Sequence, residues 1–341
     1  MSSRSKALQY YILVRLLLAP LMLWTIATVV FLLLRATPGD PVDAVLGGRA
    51  PEAVKADYRE RLGLDAPLWL QYVRFIGSLL SLDLGTSLTS QGLPVWEIIR
   101  DHFPATMELA ICGVAIAFLI GVTVGSLAAS NPNTPMDAGG RLFGIVTYAL
   151  PIFWMGMMMQ LVFSGWLGWF PPSRRFPAPP FPEGPTGLYM ADSLLSGNLG
   201  QFFTSLHHLA LPSITLGILI SGIFERIIRV NLKRTLKADY VEAARARGIP
   251  ERRILFAHAF KNALIPVITV MGLTLASLLG GAVLTEVTFS WPGLGNRLYQ
   301  AIAERDYATV QGVLVFFAGI VVVASILIDL INAYIDPRIR Y

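Results

Sequence analysis

The chain has 341 residues, of which 54% are hydrophobic and 14% are charged, and its formal net charge is +5. Soluble domains carry about 25% charged residues, so this composition excludes an ordinary soluble protein. The surplus of bases follows the positive-inside bias of membrane proteins. No basic surface interleaved with aromatic residues suggests a nucleic-acid partner.

Six long runs without charged residues follow one another along the chain. The first run has nineteen residues. As a helix it would be roughly 28 Å long, close to the roughly 30 Å of a hydrocarbon core. Backbone groups in lipid must be satisfied internally, so each run predicts a helix, and the chain is predicted to be an all-α polytopic membrane protein with six transmembrane helices. The fourth run is the shortest, and we expect its helix to extend at either end. The runs are Leu16–Leu34, Leu109–Ser130, Leu142–Phe170, Leu209–Phe224, Asn262–Thr285 and Tyr307–Ile328.

The N-terminus carries Arg4, Lys6 and Arg15 ahead of the first run, an order that signal peptides share. The run is longer than the apolar region of a signal peptide, and no small-x-small cleavage site follows it. We therefore assign residues 1–34 to the N-terminus and the first transmembrane helix.

Residues 35–106 form a long segment between the first two runs, and they contain too many apolar side chains for a disordered chain. Two short helices are predicted there, at Glu52–Leu62 and Pro67–Leu80. Two interpretations stay open. The segment is either a cap packed on the outer ends of the bundle or a surface that guides or gates a solute.

A second segment between runs, residues 171–187, contains seven prolines. Proline fixes φ and lacks a donor, which predicts an extended outer loop that acts as a spacer or docks a partner. His207 and His208 follow this loop. They are adjacent rather than at helical i, i+4 spacing, which favours a position at the membrane interface over a metal site.

The distribution of bases predicts the orientation of the chain. Residues 225–261 carry ten Lys or Arg and four Asp or Glu, whereas residues 286–306 carry two bases. By the positive-inside rule, residues 225–261 and 131–141 and both termini face the cytoplasm. Residues 35–106, 171–208 and 286–306 then face outside.

The sequence lacks the motifs of the common catalytic and metal sites. It contains no P-loop, no paired cysteines, no His-Glu-x-x-His and no Gly-x-Ser-x-Gly. Charged residues stand only at the ends of the apolar runs, as Glu108, Glu225 and Glu286 do. This pattern disfavours a membrane proton relay or a charged ion filter. We therefore expect a non-catalytic chain whose energy comes from elsewhere.

Residues 225–261, hereafter the basic loop, contain the most informative pattern. Apolar residues at helical spacing extend the fourth span into an amphipathic helix. Asp239 is then predicted to cap a short helix whose alanines give it a surface of small side chains. Gly248 is predicted to end that helix at C′. A second helix, from Arg252 to Ala263, leads back into the membrane. The interpretation without a binding function is a solvated helical hairpin with positive-inside charge.

Glu242-Ala243-Ala244, followed by three residues and Gly248, resembles the cytoplasmic EAA loop of bacterial ATP-binding-cassette importer permeases. In that family the loop forms a coupling helix in a cleft of the ATPase subunit. The family's usual Leu-Pro pair lies closer to the glycine than Ile265-Pro266 does here. The longer spacing is similar to the dipeptide, oligopeptide and nickel branch, whose loop ends in a stretch matched by His258, Ala259, Asn262, Ala263 and Pro266.

Further motifs of that branch occur in order along nearly the whole chain. The most specific runs from Gly281 to Gly295 and ends in Phe289-Ser290-Trp291-Pro292-Gly293-Leu294-Gly295. Ala308 stands where the family often has proline. The other matches are Pro38-Gly39-Asp40-Pro41, Leu62-Gly63-Leu64-Asp65, Gln71-Tyr72, Leu82-Asp83-Leu84-Gly85 with Ser87, Pro151-Ile152-Phe153-Trp154, Leu211-Pro212, Arg305-Asp306-Tyr307, Val310-Gln311-Gly312 and Asp336-Pro337-Arg338.

The resemblance implies a type I importer bundle in a bacterial plasma (inner) membrane. Residues 35–106 would be a helical extracytoplasmic insertion, and residues 107–341 the core permease domain. The implied partners are a second homologous permease, two ATPase subunits, an extracytoplasmic solute-binding protein and membrane lipid. ATP and Mg would be used by the ATPase subunits, with no cofactor or metal bound by this chain. The implied ATPase-coupling residues are Asp239, Tyr240, Glu242, Ala243, Ala244, Arg247 and Gly248.

The resemblance favours di- or oligopeptides as the solute, with nickel or another small solute as the alternative. It assigns no residue to the substrate pathway. A self-sufficient secondary carrier or an intramembrane enzyme would need polar groups within the spans, which the runs lack. Substituting Gly248→Asp or Glu242→Lys is predicted to uncouple transport from ATP hydrolysis.

Overall fold

The computed structural model describes residues 3–37, 39, 41–46, 50–61, 63–90 and 92–335. Helices joined by turns and loops make up this part of the chain, and an isolated bridge pairs Thr86 with Pro94. The helices are α1 (Ser3–Ala36), α2 (Pro41–Leu46), α3 (Glu52–Arg61), α4 (Leu68–Leu80), α5 (Val95–Ser130), α6 (Pro135–Ala149), α7 (Ile152–Met159, continued by π-helical turns over Gln160–Trp166), α8 (Tyr189–Leu195), α9 (Leu199–Thr235), α10 (Asp239–Ala246), α11 (Glu251–Arg253, continued by π-helical turns over Ile254–Ala259), α12 (Phe260–Leu279), α13 (Val283–Thr288), α14 (Leu294–Ala303) and α15 (Tyr307–Ile335).

In the described part of the chain, five helices are long and apolar enough to cross a membrane, and a bent pair makes a sixth if it counts as one span. The all-α polytopic fold is therefore confirmed. The five are Leu17–Ala36, Val95–Ser130, Leu199–Thr235, Glu251–Leu279 and Tyr307–Ile328.

The bent pair is α6 and α7, which meet at 101°. One continuous helix over the run Leu142–Phe170 was expected, and that expectation is wrong. Leu150 has an extended backbone, with φ −80° and ψ 128°. The ring of Pro151 disfavours the helical conformation at the preceding residue and also removes a donor, so the first helix ends there and α7 begins after the proline.

Two other runs differ from their helices in length. The fourth run, Leu209–Phe224, lies inside the much longer α9, so the expected extension at both ends is confirmed. The fifth run, Asn262–Thr285, does not form one helix. The span ends at Leu279, and Gly281, with φ +117°, turns the chain into the short α13.

The core of the bundle is the packing of α5 against α9. Two glycines of α5 let the backbones approach closely, as small residues do in membrane helices. A Cβ on Gly121 would lie 2.9 Å from the backbone nitrogen of Glu225. A Cβ on Gly125 would lie 2.5 Å from the carbonyl oxygen of Glu225. Phe224 and Ile228 of α9 fill a fully buried cluster with residues of α5 and α12.

Residues 35–106, which the distribution of bases predicts to face outside and which are hereafter called the outer segment, pack on α1 through α4. Tyr72 forms a 2.7 Å hydrogen bond with Thr28 and an edge contact with Phe31. The Arg35 side chain donates to Gln71 at 2.8 Å. The Gln71-Tyr72 motif therefore has a structural role. These contacts support the interpretation of the segment as a cap packed on the bundle. The predicted helix at Glu52–Leu62 is α3, which ends at Arg61, and Leu62 lies outside the described residues.

Helix α5 runs without a break across residues 106 and 107. The boundary that we propose between the outer segment and the core domain therefore lies inside one helix. Val95 and Ile99 of its first turns are buried against α14 and α15. The outer segment and the bundle are thus joined by one continuous helix.

Candidate functional site

The basic loop begins as a direct continuation of a membrane helix. Helix α9 runs on beyond its apolar run to Thr235, and Ile228 and Leu232 on this extension are fully buried against the bundle. Arg226 and Arg234 on the same stretch are exposed. The predicted amphipathic extension of the fourth span is confirmed.

The short helix α10 begins at Asp239, after a turn of three residues. Ala238 occupies the cap position, and no side chain caps the helix, so the expected capping role of Asp239 is wrong. Asp239 and Glu242 lie instead in the first turn, where negative charge interacts favourably with the positive end of the helix dipole.

The end of α10 is a Schellman motif centred on Gly248. The Gly248 amide donates to the Arg245 carbonyl at 2.9 Å, and the Ile249 amide donates to the Ala244 carbonyl at 3.2 Å. Gly248 has φ +72°, and a Cβ there would meet no atom within 4 Å. The position therefore needs glycine for its backbone conformation rather than for space, as the sequence predicted.

The two faces of α10 differ in exposure. Val241 and Ala244 are buried against Ile254, and Ile249 packs on the same cluster. Ala244 therefore does not belong to the exposed surface to which its small size had assigned it. The other six predicted coupling residues are exposed: Asp239, Tyr240, Glu242, Ala243, Arg247 and Gly248.

Two tethers that the sequence pattern did not reveal hold α10 to its neighbours. Arg245 forms a 2.7 Å ion pair with Glu251 and donates to the Leu236 carbonyl at 3.2 Å. Asn262 donates to the Tyr240 hydroxyl at 2.9 Å. Asn262 belongs to the family motif that follows the loop, which was the available signal for this contact. The helix is therefore linked to both α9 and the helix that leads into α12.

An ion pair also connects α9 to α6 beside it. Lys233 donates to both oxygens of Asp137 on α6 at 2.8 Å. Glu225, which is 1% exposed, accepts from Arg229 at 2.7 Å and lies against Gly144 of α6. These contacts hold the end of α9 against α6.

At the opposite end of α9 and α5, the most specific family motif binds α5. The Trp291 indole donates to the Ala105 carbonyl, and the Leu294 amide donates to the Thr106 hydroxyl, both at 2.8 Å. Thr106 donates in turn to the buried carboxylate of Glu286 at 2.7 Å, and the Asn296 amide donates to the same carboxylate at 2.8 Å. Burial raises the pKa of Glu286. This carboxylate therefore joins α5, α13 and the start of α14.

Replacing Thr106 with valine is expected to lower the free energy of unfolding by about 1–3 kcal/mol, because it leaves a buried amide and a carboxylate oxygen without their partner. The midpoint of thermal unfolding in detergent measures the loss. Thr106→Ser, which keeps the hydroxyl, is the matched control. Equal midpoints for the two variants would contradict the assigned role of the hydroxyl.

Asp306 is a second buried carboxylate at that end of the molecule. It accepts hydrogen bonds from Ser87, from Thr89 at 3.1 Å and from Thr309 at 2.7 Å. Two separate family motifs therefore meet at one carboxylate, which fastens the outer segment to the start of α15.

The proline-rich loop is anchored to the bundle. The buried Arg175 donates to Glu108 of α5 at 2.7 and 2.9 Å. His207 and His208 contact the Trp169 and Arg174 carbonyls at 2.7 and 3.0 Å. The loop is therefore more than a free spacer, and the two histidines hold it at the end of α9.

Three carboxylates at the ends of the apolar runs, Glu108, Glu225 and Glu286, are thus all buried and hydrogen-bonded, which their positions in the sequence did not reveal. No group of three or more potential metal ligands occurs among the described residues. Of the predicted motifs, Pro38, Asp40, Leu62 and Asp336-Pro337-Arg338 lie outside the described residues.

Two family models match the chain. The binding-protein-dependent transport system inner membrane component matches residues 121–341, and the N-terminal part of such a membrane component matches residues 8–110. The chain is therefore a multi-pass membrane protein of a transport system.

Individual relatives cover almost the whole chain. It is 40% identical to a dipeptide transport system permease protein of Alkalihalophilus pseudofirmus, over 97% of this chain and 99% of the relative. It is 40% identical to a probable D,D-dipeptide transport system permease protein of Escherichia coli, over 92% of each. It is 33% identical to an oligopeptide transport system permease protein of Bacillus subtilis, over 97% and 99%.

These relatives are permease subunits of transport systems, and this chain is accordingly a non-catalytic transport subunit. Together with the matched family models and the helical membrane fold, they establish its family. The chain belongs to the binding-protein-dependent transport system inner membrane components.

Proposed function

We propose that this chain is the permease subunit of an ATP-driven importer of di- and oligopeptides. The observation that carries the proposal is the 40% identity, over 97% of the chain, to a permease named for dipeptide transport. The reported relatives are named for peptides, which favours peptides over nickel or another small solute. Membership of a binding-protein-dependent family disfavours a self-sufficient secondary carrier.

The importer would contain five protein parts: this permease, a second homologous permease, two ATPase subunits and an extracytoplasmic solute-binding protein. ATP and Mg would be used by the ATPase subunits. We propose that α10 is the element that docks on an ATPase. Its exposed face carries the small side chain of Ala243, which lets an ATPase surface approach closely. Glu242 and Arg247 on the same face carry opposite charges, which favour one orientation of the bound ATPase.

The proposed membrane is the bacterial plasma (inner) membrane, with both termini and the basic loop in the cytoplasm. The excess of bases in residues 225–261 supports this orientation. Residues 35–106 and the proline-rich loop would then face the binding protein outside. This arrangement separates the two docking surfaces by the length of α9.

The proposed mechanism is a rigid-body switch driven from the cytoplasmic side. Closure of the ATPase subunits on ATP would displace α10. The Arg245 tether to the Leu236 carbonyl would pass that displacement to α9, and the Lys233–Asp137 ion pair would pass it to α6. The tight packing of α5 on α9 would then move them together rather than bend them.

An uptake assay in reconstituted vesicles tests the proposal. The permease is reconstituted with the second permease, the cognate ATPases and the binding protein, and uptake of a dipeptide, an oligopeptide and Ni²⁺ is measured with and without ATP. We expect ATP-dependent uptake of peptides and none of Ni²⁺. Uptake of Ni²⁺ alone would reject the proposed substrate, and uptake that needs no ATP would reject the importer.

A further inference from the structure

A basic cavity lies at the end of the bundle that carries α10. Its volume is about 790 Å³, and it is bounded by the α5–α6 turn, the end of α9 and the first turns of α11. Five bases and one acid contribute to its lining: Lys233, Arg234, Lys237, Arg245, Arg252 and Glu251. The cavity therefore carries a strong positive charge.

Two of these bases are neutralised within the protein. Lys233 pairs with Asp137 at 2.8 Å, and Arg245 pairs with Glu251 at 2.7 Å. The exposed side chains of the other three, Arg234, Lys237 and Arg252, make no hydrogen bond or ion pair with the residues that the structure describes. Three like charges around one cavity repel each other, and a bound anion would remove that repulsion.

The depth of the cavity indicates where such an anion would come from. Three membrane helices end at it: α5 at Ser130, α9 at Thr235 and the span that begins at Glu251. The cavity therefore lies on the polar side of the apolar runs, next to Ser130, where the uncharged run of α5 ends. Phospholipid phosphates occupy this level of a bilayer, and basic pockets between helices at this level bind anionic head groups.

The rest of the lining also suits a lipid. Ala129, Leu236 and Leu255 supply apolar surface beside the bases. A free inorganic anion would have no use for that surface, whereas the glycerol and first methylene groups of a phospholipid would bury it. Positive-inside charge explains why bases occur on the loop, but not why two unpaired ones at the end of α9 and one on α11 converge on one cavity.

We propose that this cavity binds the phosphate group of an anionic phospholipid, held by Arg234, Lys237 and Arg252. The bound lipid would bridge the end of α9 and the start of α11, on either side of α10. It would thereby stabilise the two helix ends that flank α10. The proposal does not depend on which solute the protein transports.

The test compares lipid binding by two variants with equal charge. The full chain is purified with the subunits that co-purify with it and titrated with phosphatidylglycerol or phosphatidylcholine, and bound lipid is counted by native mass spectrometry. The variant Lys237→Gln/Arg252→Gln removes two cavity bases. The control Arg253→Gln/Lys261→Gln removes two exposed bases of the same loop that do not line the cavity.

We expect the cavity variant to bind phosphatidylglycerol on the order of tenfold to thirtyfold more weakly than the wild type. The control should match the wild type, and phosphatidylcholine should bind weakly to all three. Equal weakening in both variants would overturn the proposal. Displacement of phosphatidylglycerol by an equal concentration of inorganic phosphate would reveal a free-anion site instead. Binding seen only after the co-purifying subunits are removed would show that a protein partner fills the cavity, which also rejects the lipid.

Discussion

Replacing Gly248 with valine is expected to lower ATP-driven uptake on the order of tenfold while ATP hydrolysis by the complex continues. A residue with a side chain pays roughly 1–2 kcal/mol in the left-handed region that Gly248 occupies, and about 1.4 kcal/mol is a factor of ten in an equilibrium. The Schellman motif would open, and Ile249 would leave its cluster with Val241, Ala244 and Ile254. Uptake and hydrolysis measured on the same vesicles give the ratio of peptide transported to ATP hydrolysed.

The matched control for this variant is Gly248→Asn. Asparagine adds a side chain of similar size but tolerates the left-handed conformation better than other residues. The position has open space, so neither side chain clashes. We expect Gly248→Asn to retain most of the uptake. If asparagine and valine reduced uptake equally, the side chain itself would block the ATPase contact, and the backbone explanation would be wrong.

The substitutions suggested by the sequence, Gly248→Asp and Glu242→Lys, therefore act in different ways. Aspartate also tolerates the left-handed region, so Gly248→Asp tests mainly the effect of a negative charge at the end of α10. The Glu242 side chain is exposed and makes no hydrogen bond or ion pair with the described residues, so Glu242→Lys tests the charge of the docking face. Gly248→Val isolates the backbone, which neither of them does.

Much of this fold could be predicted from the sequence, because a membrane helix is defined by composition and length alone. The spans at Leu17–Ala36 and Tyr307–Ile328 follow directly from uncharged runs. The bend at Pro151 was also encoded locally, since proline restricts the residue before it. One helix was nevertheless predicted, because the absence of charge across Leu142–Phe170 outweighed a single proline.

The contacts that organise the two ends of the bundle could not be predicted in the same way. Glu108, Glu225 and Glu286 each stand at the end of an apolar run, where a solvated charge is the usual expectation. The partners of Glu108 and Glu286 lie far away in sequence, as Thr106 does from Glu286, and no local pattern identifies them. Glu225, by contrast, pairs with Arg229 four residues further along α9. The exposed face of α10 was mostly predictable, whereas the inward position of Ala244 depends on Ile254 across a turn.

The largest effect on stability is expected from breaking the ion pair between Glu108 and Arg175. Both side chains are buried, and Arg175 also lies over the Tyr189 ring, 3.7 Å from its centroid. Arg175→Met would leave the carboxylate buried without its partner, which costs about 3–5 kcal/mol in such pairs. The midpoint of thermal unfolding in detergent measures the loss of stability. Limited proteolysis reports whether residues 171–187 have detached from the bundle and become accessible to the protease.

A double-mutant cycle separates this pair from the rest of the loop. In Glu108→Gln/Arg175→Met neither buried charge remains, so the double variant is expected to be more stable than the sum of the single losses predicts. Arg174→Met is the control, because Arg174 is the exposed neighbour and its side chain makes no hydrogen bond or ion pair with the described residues. If Arg175→Met unfolded at the same temperature as Arg174→Met, the loop would be a spacer after all. A large loss that the double variant recovers would instead make the proline-rich loop part of the bundle, so that a binding protein docking on it would act directly on α5.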